Sequence, residues 1–307
     1  MRLTRENLST MVGKHMNSRL DPHYQSTLAK SVTLSGHGVH SGLASTVTIH
    51  PAEVGEGIVF IRSIPTGEKK KFHAISAETG ATERSTSLGT GAVRVETIEH
   101  LMAAISAYNL DNLHIEVSSN ELPILDGGAW SYCEAFDKAG VVNQKAKRKF
   151  IVIKKTVRAE SATGFAEFEP FEGRRFDVSI EFPTPIIGKS KFIFDCEPEK
   201  FKQEISKART FGFLKDVETL WAAGMALGSS LENSIVIDAD DKVINPGGTY
   251  YDNEFVRHKL LDAIGDTALT GSPFIGLFRS FRGGHSLNAK LVKALLQDTS
   301  AFETKEF

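Results

Sequence analysis

The sequence predicts an α+β protein built from two domains of similar topology. Three observations support this fold class. The 307 residues are enough for two domains of ordinary size. Short strand-like runs come ahead of amphipathic helices, and the order strands, helix, strand, helix occurs twice. No clear residue-level repeat accompanies this order, so we expect two packed α+β domains with a site at their interface.

The amino-acid composition argues against several classes of partner and of site. Hydrophobic residues make up 41% and charged residues 24%, as is typical of a soluble globular protein. The formal net charge of -2 gives no electrostatic reason to expect nucleic acid or an anionic membrane as a partner. The only cysteines, Cys133 and Cys196, lie far apart, which argues against a disulfide framework and against a thiolate zinc site. No apolar run reaches the roughly 20 residues of a membrane span. A cytoplasmic location without a transmembrane segment is therefore expected.

The first half begins with a polar, non-periodic stretch, residues 1–26, which indicates an N-terminal extension. A first domain is predicted over 27–142. Its helices are expected at 97–107, where four apolar side chains share one face, and at about 129–138. Its strands are predicted from short β-rich runs between turn residues, at 31–34, 46–50, 58–61, 71–75, 92–95 and 113–117.

A polar, basic segment, 143–149 (NQKAKRK), is predicted to be the linker between domains. The second domain is expected over 150–307. Its long helix is predicted at about 252–270, followed by a strand at 274–279 and a helix at 285–297. Its earlier strands are predicted at 151–157, 164–169, 177–182 and 191–195.

The long helix of the second half carries the residues that indicate chemistry. His258, Asp262 and Asp266 lie at i, i+4 and i+8, so their side chains share one face. Imidazole nitrogen and carboxylate oxygen are good zinc donors, and a catalytic zinc site usually has three protein ligands. His100, in the first turns of the corresponding helix of the other half, is the best candidate for the missing ligand.

The remaining roles of an amide hydrolase can be assigned to nearby sequence. Glu99 adjoins a candidate ligand, as does the general base that metallohydrolases place beside their activated water. His285 would protonate the leaving amine, held as imidazolium by Asp266. Thr210 is our choice for a hydroxyl that stabilises the oxyanion. Each of these residues alone also fits an ordinary role, as a surface helical pair, a cap or a turn hydroxyl.

Six motifs occur in order along the chain: GVHSG (38–42), TIEHLMAA (97–104), ELPILDGGA (121–129), ARTFGF (208–213), EFVRHKLLDAIGD (254–266) and GGHSLNAKLVKAL (283–295). Together they resemble the UDP-3-O-acyl-N-acetylglucosamine deacetylase family over about residues 26–300. The resemblance implies two similar α+β domains in a β-α-α-β sandwich with the active site at the domain interface.

The same resemblance implies a role for individual residues. It implies zinc ligands at His100, His258 and Asp262 and a general base at Glu99. It also implies an acid at His285 with Asp266 as its carboxylate partner, and an oxyanion donor at Thr210. These roles match the assignments made above from chemistry. Lys259 falls where the family has a catalytic and substrate-contacting residue, and Phe211 where it contacts substrate. His40 lies near the expected nucleotide region.

An insert at about 213–238 is implied to form an apolar passage for the acyl chain of the substrate. Five side chains there stand at helical spacing: Leu214, Val217, Leu220, Trp221 and Met225. Without the resemblance this stripe would indicate core packing. With it, Leu214 and Met225 become candidate contacts for the acyl chain. One departure is Ser85, at the place of a cysteine common in the family, which we expect to weaken binding of an extra inhibitory metal.

The sequence thus favours Zn²⁺-dependent hydrolysis of the 2-acetamido group of UDP-3-O-acyl-N-acetylglucosamine, in lipid A biosynthesis, by a monomer. Fe²⁺ is compatible with the same ligands. Two alternatives stay open at this point. One is a metal-dependent deacetylase of another amidated sugar, and the other is a non-catalytic binder of an acylated sugar nucleotide.

Overall fold

The computed structural model describes residues 20–64 and 67–307. These residues form two large open β-sheets with helices packed between them, and two further pairs of strands. The six α-helices of the described chain are α1 Glu99–Ala107, α2 Trp130–Ala139, α3 Pro198–Glu204, α4 Val217–Ala222, α5 Glu254–Thr267 and α6 His285–Gln297. Short 3-10 turns lie at Ser76–Glu78, Leu214–Asp216 and Ala268–Thr270. No helix within these ranges combines the length and apolar character needed to cross a membrane.

The strands of the first half are β1 Tyr24–Leu28, β2 Val32–His37, β3 Ala44–Pro51, β4 Ile58–Ser63, β5 Lys69–His73, β6 Leu113–Val117 and β7 Val141–Lys147. Those of the second half are β8 Lys149–Ile153, β9 Val157–Glu160, β10 Phe165–Glu169, β11 Arg174–Glu181, β12 Lys189–Asp195, β13 Thr210–Phe213, β14 Ser234–Ile237, β15 Phe274–Phe281 and β16 Phe302–Glu306.

The two large sheets have the same topology. The first has the order β2-β3-β6-β4-β5, and five strands of the second have the order β9-β10-β15-β11-β12. In each sheet the central strand follows a long helix, pairs antiparallel with one hairpin and pairs parallel with the other. The second sheet is extended by β8 and β16. The predicted fold class, two similar α+β domains, is confirmed.

The central layer consists of α1 and α5, which pack directly on each other. Every residue of α1 except Ser106 is buried, as are twelve of the fourteen residues of α5. Helices that are buried on nearly all sides need apolar layers above and below them. One continuous apolar core joins the two sheets through these helices, so polar side chains on α1 and α5 are held in a site largely closed to water.

Two segments predicted to be irregular are strands. The predicted linker, 143–149, is formed by the end of β7 and the start of β8. The predicted N-terminal extension ends in β1, which pairs antiparallel with β7, while residues 1–19 lie outside the described part. Arg148, predicted to belong to a solvated basic run, is 2% exposed, because Asp111 accepts its guanidinium N–H groups at 2.7 to 3.1 Å. The position of the domain boundary itself stays a prediction.

The insert over 213–238 is helical over only part of its apolar stripe. Within the insert the only α-helix is α4, which ends at Ala222. Gly224 and Ala226 follow with φ of 69° and 56°, a left-handed geometry that ends helices. The five apolar side chains from Leu214 to Met225 therefore do not lie on one continuous helix. The predicted strand at 92–95 is wrong, since only a bridge from Val95 to Leu88 forms there.

Candidate metal centre and active site

Two closely crossing helices hold the candidate site. A Cβ atom added at Gly265 of α5 would lie 2.0 Å from the carbonyl oxygen of Glu99, the first residue of α1. Only glycine allows the two backbones to approach this closely. The approach brings Glu99 and His100, in the first turn of α1, against the part of α5 that carries His258 and Asp262.

The turn that leads into α1 has an unusual backbone. Thr97 has a φ of 58°, in the left-handed region that β-branched residues rarely adopt. Its hydroxyl donates to Oε1 of Glu121 at 3.2 Å, and Glu121 is 1% exposed. A buried carboxylate from the motif at 121–129 therefore holds the turn from which Glu99 and His100 start.

His100, His258 and Asp262 form the one group of potential metal ligands among the described residues, and all three are buried. Nε2 of His258 lies 3.5 Å from Oδ1 of Asp262, and Nε2 of His100 lies 3.7 Å from the same oxygen. The two imidazole rings meet edge to face, with centroids 5.1 Å apart. The two helices thus bring together the three residues whose types and spacing suggested a metal site.

The donor atoms fit a divalent cation. Oδ1 of Asp262 is buried and has no hydrogen-bond partner among the described residues, while Oδ2 accepts a hydrogen bond from Nζ of Lys259 at 2.7 Å. A buried carboxylate oxygen without a partner is costly, and two imidazole nitrogens face this one. A set of two His and one Asp is typical of metal sites with an open position for catalysis.

The orientation of His258 is set by the backbone next to it. Its Nδ1 lies 3.0 Å from the carbonyl oxygen of Ala208, which can only accept, so Nδ1 carries the proton and Nε2 presents its lone pair. The neighbouring Arg209 fixes this carbonyl, because its backbone N–H and its Nε both donate to Oε1 of Glu254 at 2.9 Å. Both members of that ion pair are buried.

Protonation of the three ligands also suits a metal. Burial lowers the pKa of His100 to about 3, and electrostatic interaction with His258 acts in the same direction; burial likewise lowers the pKa of His258. Burial opposes ionisation of Asp262, but electrostatic interactions with His258 and Lys259 outweigh it and lower its pKa. Neutral imidazoles and an ionised carboxylate are the forms that bind a cation.

Glu99 lies buried beside the candidate ligands. Its Oε2 accepts a hydrogen bond from the backbone N–H of Thr86 at 2.9 Å. Burial raises the pKa of Glu99 to about 7; the charge of His285 opposes this rise, and Asp262 contributes to it. A carboxyl group with a pKa near neutrality can both take and return a proton.

His285 is the first residue of α6 and faces two carboxylates. Its Nδ1 lies 3.0 Å from Oδ2 of Asp266, and its Nε2 lies 3.8 Å from Oδ2 of Asp262. Burial disfavours the imidazolium, but Asp266 and Asp262 outweigh it and raise the pKa of His285 to about 9. At neutral pH, His285 is therefore a proton donor next to the ligand group.

Known proteins resemble this chain over most of its length. The family model described as LpxC, UDP-3-O-acyl N-acetylglycosamine deacetylase, matches residues 25–297. The chain belongs to the LpxC family. It is 52% identical over 283 residues to proteins named UDP-3-O-acyl-N-acetylglucosamine deacetylase from Brucella ovis, Brucella abortus strain 2308 and Brucella melitensis biotype 2. Each match covers 92% of this chain and 99% of the relative.

The other residues that the LpxC resemblance suggested lie at various distances from the ligands. Lys259 contacts Asp262 directly. Thr210 begins β13, two residues after the Ala208 carbonyl, and its own N–H donates to Gly127 O at 2.9 Å. The ring of Phe211 lies 6.2 Å from that of His258, centroid to centroid. Lys259 lies on α5, and Thr210 and Phe211 lie on β13, which contacts α5.

His40 lies in the first domain, where the insert meets it. Its carbonyl oxygen accepts from the N–H of Leu227 at 3.0 Å, and its own N–H donates to Oε1 of Glu121 at 2.9 Å. Burial lowers its pKa, although the charge of Glu121 opposes this shift. Leu214 is 47% exposed and Met225 partly buried, so both lie at the surface of the insert.

Two residues of the site had no place in the sequence-based prediction. Asn288 donates from Nδ2 to Oδ2 of Asp266 at 2.9 Å, and its position one turn after His285 is a signal that could have indicated it. Thr86 donates to both Glu99 and Asp266. Its sequence neighbourhood, with its many Ser and Thr residues, offers no such signal.

Proposed function

We propose that the chain is a metal-dependent amidase that hydrolyses the 2-acetamido group of UDP-3-O-acyl-N-acetylglucosamine, giving the free amine and acetate in lipid A biosynthesis. The observation that carries this proposal is the convergence of a buried carboxyl group, Glu99, and a protonated imidazole, His285, on one His/His/Asp group. A base, an acid and a ligand set together are what hydrolysis of an unactivated amide requires.

His100, His258 and Asp262 would hold the metal ion. When bound, the ion supplies Lewis acidity, which acidifies water and polarises the amide carbonyl. Zn²⁺ is our preferred ion, since imidazole and carboxylate suit it, and Fe²⁺ is compatible with the same donors.

The protons are moved by this chain's own residues. Glu99 takes a proton from the attacking water, and the tetrahedral carbon that results carries a negative oxygen. Thr210 and Lys259 are the proposed donors to that oxygen. His285, held by Asp266, gives its proton to the amide nitrogen as the C–N bond breaks, so a neutral amine and acetic acid form. The acetic acid loses its proton to solvent and leaves as acetate, and the proton held by Glu99 passes through solvent to recharge His285.

Substrate contacts form the outer part of the proposal. Phe211 lies beside the His258 ring and would pack against the substrate, and His40 would lie toward the nucleotide. Leu214 and Met225 in the insert would contact the acyl chain. A cytoplasmic, monomeric enzyme is consistent with these roles.

The decisive experiment measures acetate release from UDP-3-O-acyl-N-acetylglucosamine. Wild type should be active, lose activity after chelation and regain it with Zn²⁺. Glu99→Gln should keep its metal and its substrate affinity while kcat falls by about two to four orders of magnitude. His114→Ala, on the partly exposed face of β6, serves as the control and should resemble wild type. Inactive, folded, metal-loaded wild type would contradict the substrate assignment.

The alternatives are separated by two further measurements. A deacetylase of a different amidated sugar should tolerate removal of the 3-O-acyl chain, whereas our proposal expects a strong loss of kcat/KM with shorter chains. A non-catalytic binder would bind substrate and release no acetate under any metal condition. In that case Glu99→Gln would have no turnover to lose.

A further inference from the structure

We propose that Thr86 is a positioning residue that fixes the base Glu99 and the His285–Asp266 pair relative to each other. The proposal rests on the function proposed above, because positioning has a kinetic meaning only if these groups transfer protons. Thr86 lies in a segment before α1 that contributes no metal ligand, and it is 1% exposed.

Three polar groups of Thr86 connect elements of both domains. Its N–H donates to Oε2 of Glu99 at 2.9 Å, and its carbonyl oxygen accepts the N–H of Ile98 at 3.2 Å. Its hydroxyl donates to Oδ1 of Asp266 at 2.6 Å. Thr86 thus binds both the residue before α1 and the side chain of the first residue of α1, while it also reaches across to α5.

Asp266 depends on this contact for its orientation. Its Oδ2 accepts from Nδ1 of His285 at 3.0 Å and from Nδ2 of Asn288 at 2.9 Å, both on α6. The hydroxyl of Thr86 is the partner that approaches Oδ1 most closely, and His285 is the next, at 3.2 Å. Removal of the hydroxyl leaves donors from one helix only, so the carboxylate can rotate and the imidazole can follow it.

Threonine suits this role better than a more flexible residue. A β-branched side chain has few χ1 rotamers, so the hydroxyl direction is set by the backbone that also donates to Glu99. One residue therefore couples the two proton-transfer groups through a rigid path of a few bonds. An ordinary structural hydroxyl would only satisfy a buried carboxylate and would affect folding more than turnover.

The test compares Thr86→Val, which loses the hydroxyl, with Thr86→Ser, which keeps it. Because a hydrogen bond to a charged group is lost, Thr86→Val should lower kcat about tenfold to a hundredfold, with KM and metal content near wild type. Thr86→Ser should restore most of kcat. Thr27→Val, which removes a buried hydroxyl that donates to Asn112 O far from the site, should lower stability but leave kcat unchanged. If the valine variant does not fold, Thr86→Ala replaces it.

A double variant separates positioning from a general structural effect. If Thr86 acts through His285, adding Thr86→Val to His285→Ala should lower kcat by much less than it does alone. If the fold-losses in kcat of the two single variants multiply in the double variant, the proposal is overturned. It is also overturned if Thr86→Val has the kcat of wild type, or if Thr86→Val and Thr86→Ser lose kcat equally.

A readout independent of turnover distinguishes failure of this inference from failure of the proposed function. In protein labelled with ¹⁵N-histidine, the Nδ1–H resonance that disappears in His285→Ala should shift or broaden in Thr86→Val and not in Thr27→Val. An inactive wild type would refute the proposed function. An unchanged resonance in Thr86→Val would refute the positioning role.

Discussion

The ammonium group of Lys259 lies 2.7 Å from Oδ2 of Asp262, which follows it by one turn on α5. Burial disfavours the charge of Lys259, yet Asp262 outweighs it and raises the pKa of the lysine. Oδ1 of the same carboxylate remains for the two imidazoles. The lysine therefore stays charged and occupies one oxygen of Asp262, a candidate metal ligand.

Replacement of Lys259 separates metal binding from catalysis. We expect Lys259→Met to keep its metal, since a cation beside the site is removed, and to lower kcat by about 10²-fold, as loss of one oxyanion donor does. Metal analysis and acetate release on the same preparation test this. Lys290→Met changes an exposed lysine on α6 whose partner is Glu160 O, and it should match wild type. A variant without metal would assign Lys259 to the metal site and contradict its catalytic role.

Loss of one ligand should remove the metal without unfolding the protein. In His258→Ala the group is reduced to His100 and Asp262, too few for tight binding. Loss of even an outer partner of a ligand lowers metal affinity by about 10- to 100-fold, so the purified variant should contain under about a tenth of the wild-type metal by mass spectrometry. His114→Ala should retain full metal content. Metal retained in His258→Ala would mean that this histidine is not a ligand.

Gly265 should be intolerant of a side chain. Alanine usually stabilises a helix interior by about 1 kcal/mol over glycine, but here the added Cβ would lie 2.0 Å from Glu99 O. Separation of α1 and α5 should cost about 1–3 kcal/mol of unfolding free energy, and it should also reduce activity because Glu99 moves. Urea unfolding measures the first effect. Gly212→Ala, with no atom within 4 Å of the new Cβ, should leave stability near wild type.

The buried ion pair of Arg209 and Glu254 should matter far more than a similar pair on the surface. Glu254→Gln leaves a buried guanidinium without a counter-charge, which should cost about 3–5 kcal/mol. Asp195→Asn breaks the exposed pair with Arg175 and should cost at most about 1 kcal/mol. If the two variants have equal free energies of unfolding, the ion pair of Arg209 and Glu254 does not hold the segment that carries the Ala208 carbonyl.

Much of the site could be predicted from sequence because its signals are local. The helical spacing of His258, Asp262 and Asp266 follows from backbone geometry alone, as does the adjacency of Glu99 and His100. The strand over Leu113–Val117 and the helix over His285–Gln297 have the predicted bounds, because their alternating and 3.6-residue patterns are strong. The duplicated order of elements likewise indicated the repeated sheet topology.

Other features depend on partners distant in sequence. The strand pair β1 and β7 joins segments more than a hundred residues apart, and no local pattern marks the polar residues of either strand. Left-handed residues after Ala222 end a helix that the apolar stripe would have continued. The close approach at Gly265 and the role of Thr86 become visible only when α1, α5 and α6 are packed together.

By itself, then, the sequence determined which side chains could bind a metal and move protons, since residue types and helical spacing are written along the chain. The tertiary structure alone decided that two histidines from different domains face one oxygen of Asp262 and that Thr86 links base to acid. The physical reason is that hydrogen bonds and close backbone contacts between elements depend on distances in space, which separation along the chain does not encode.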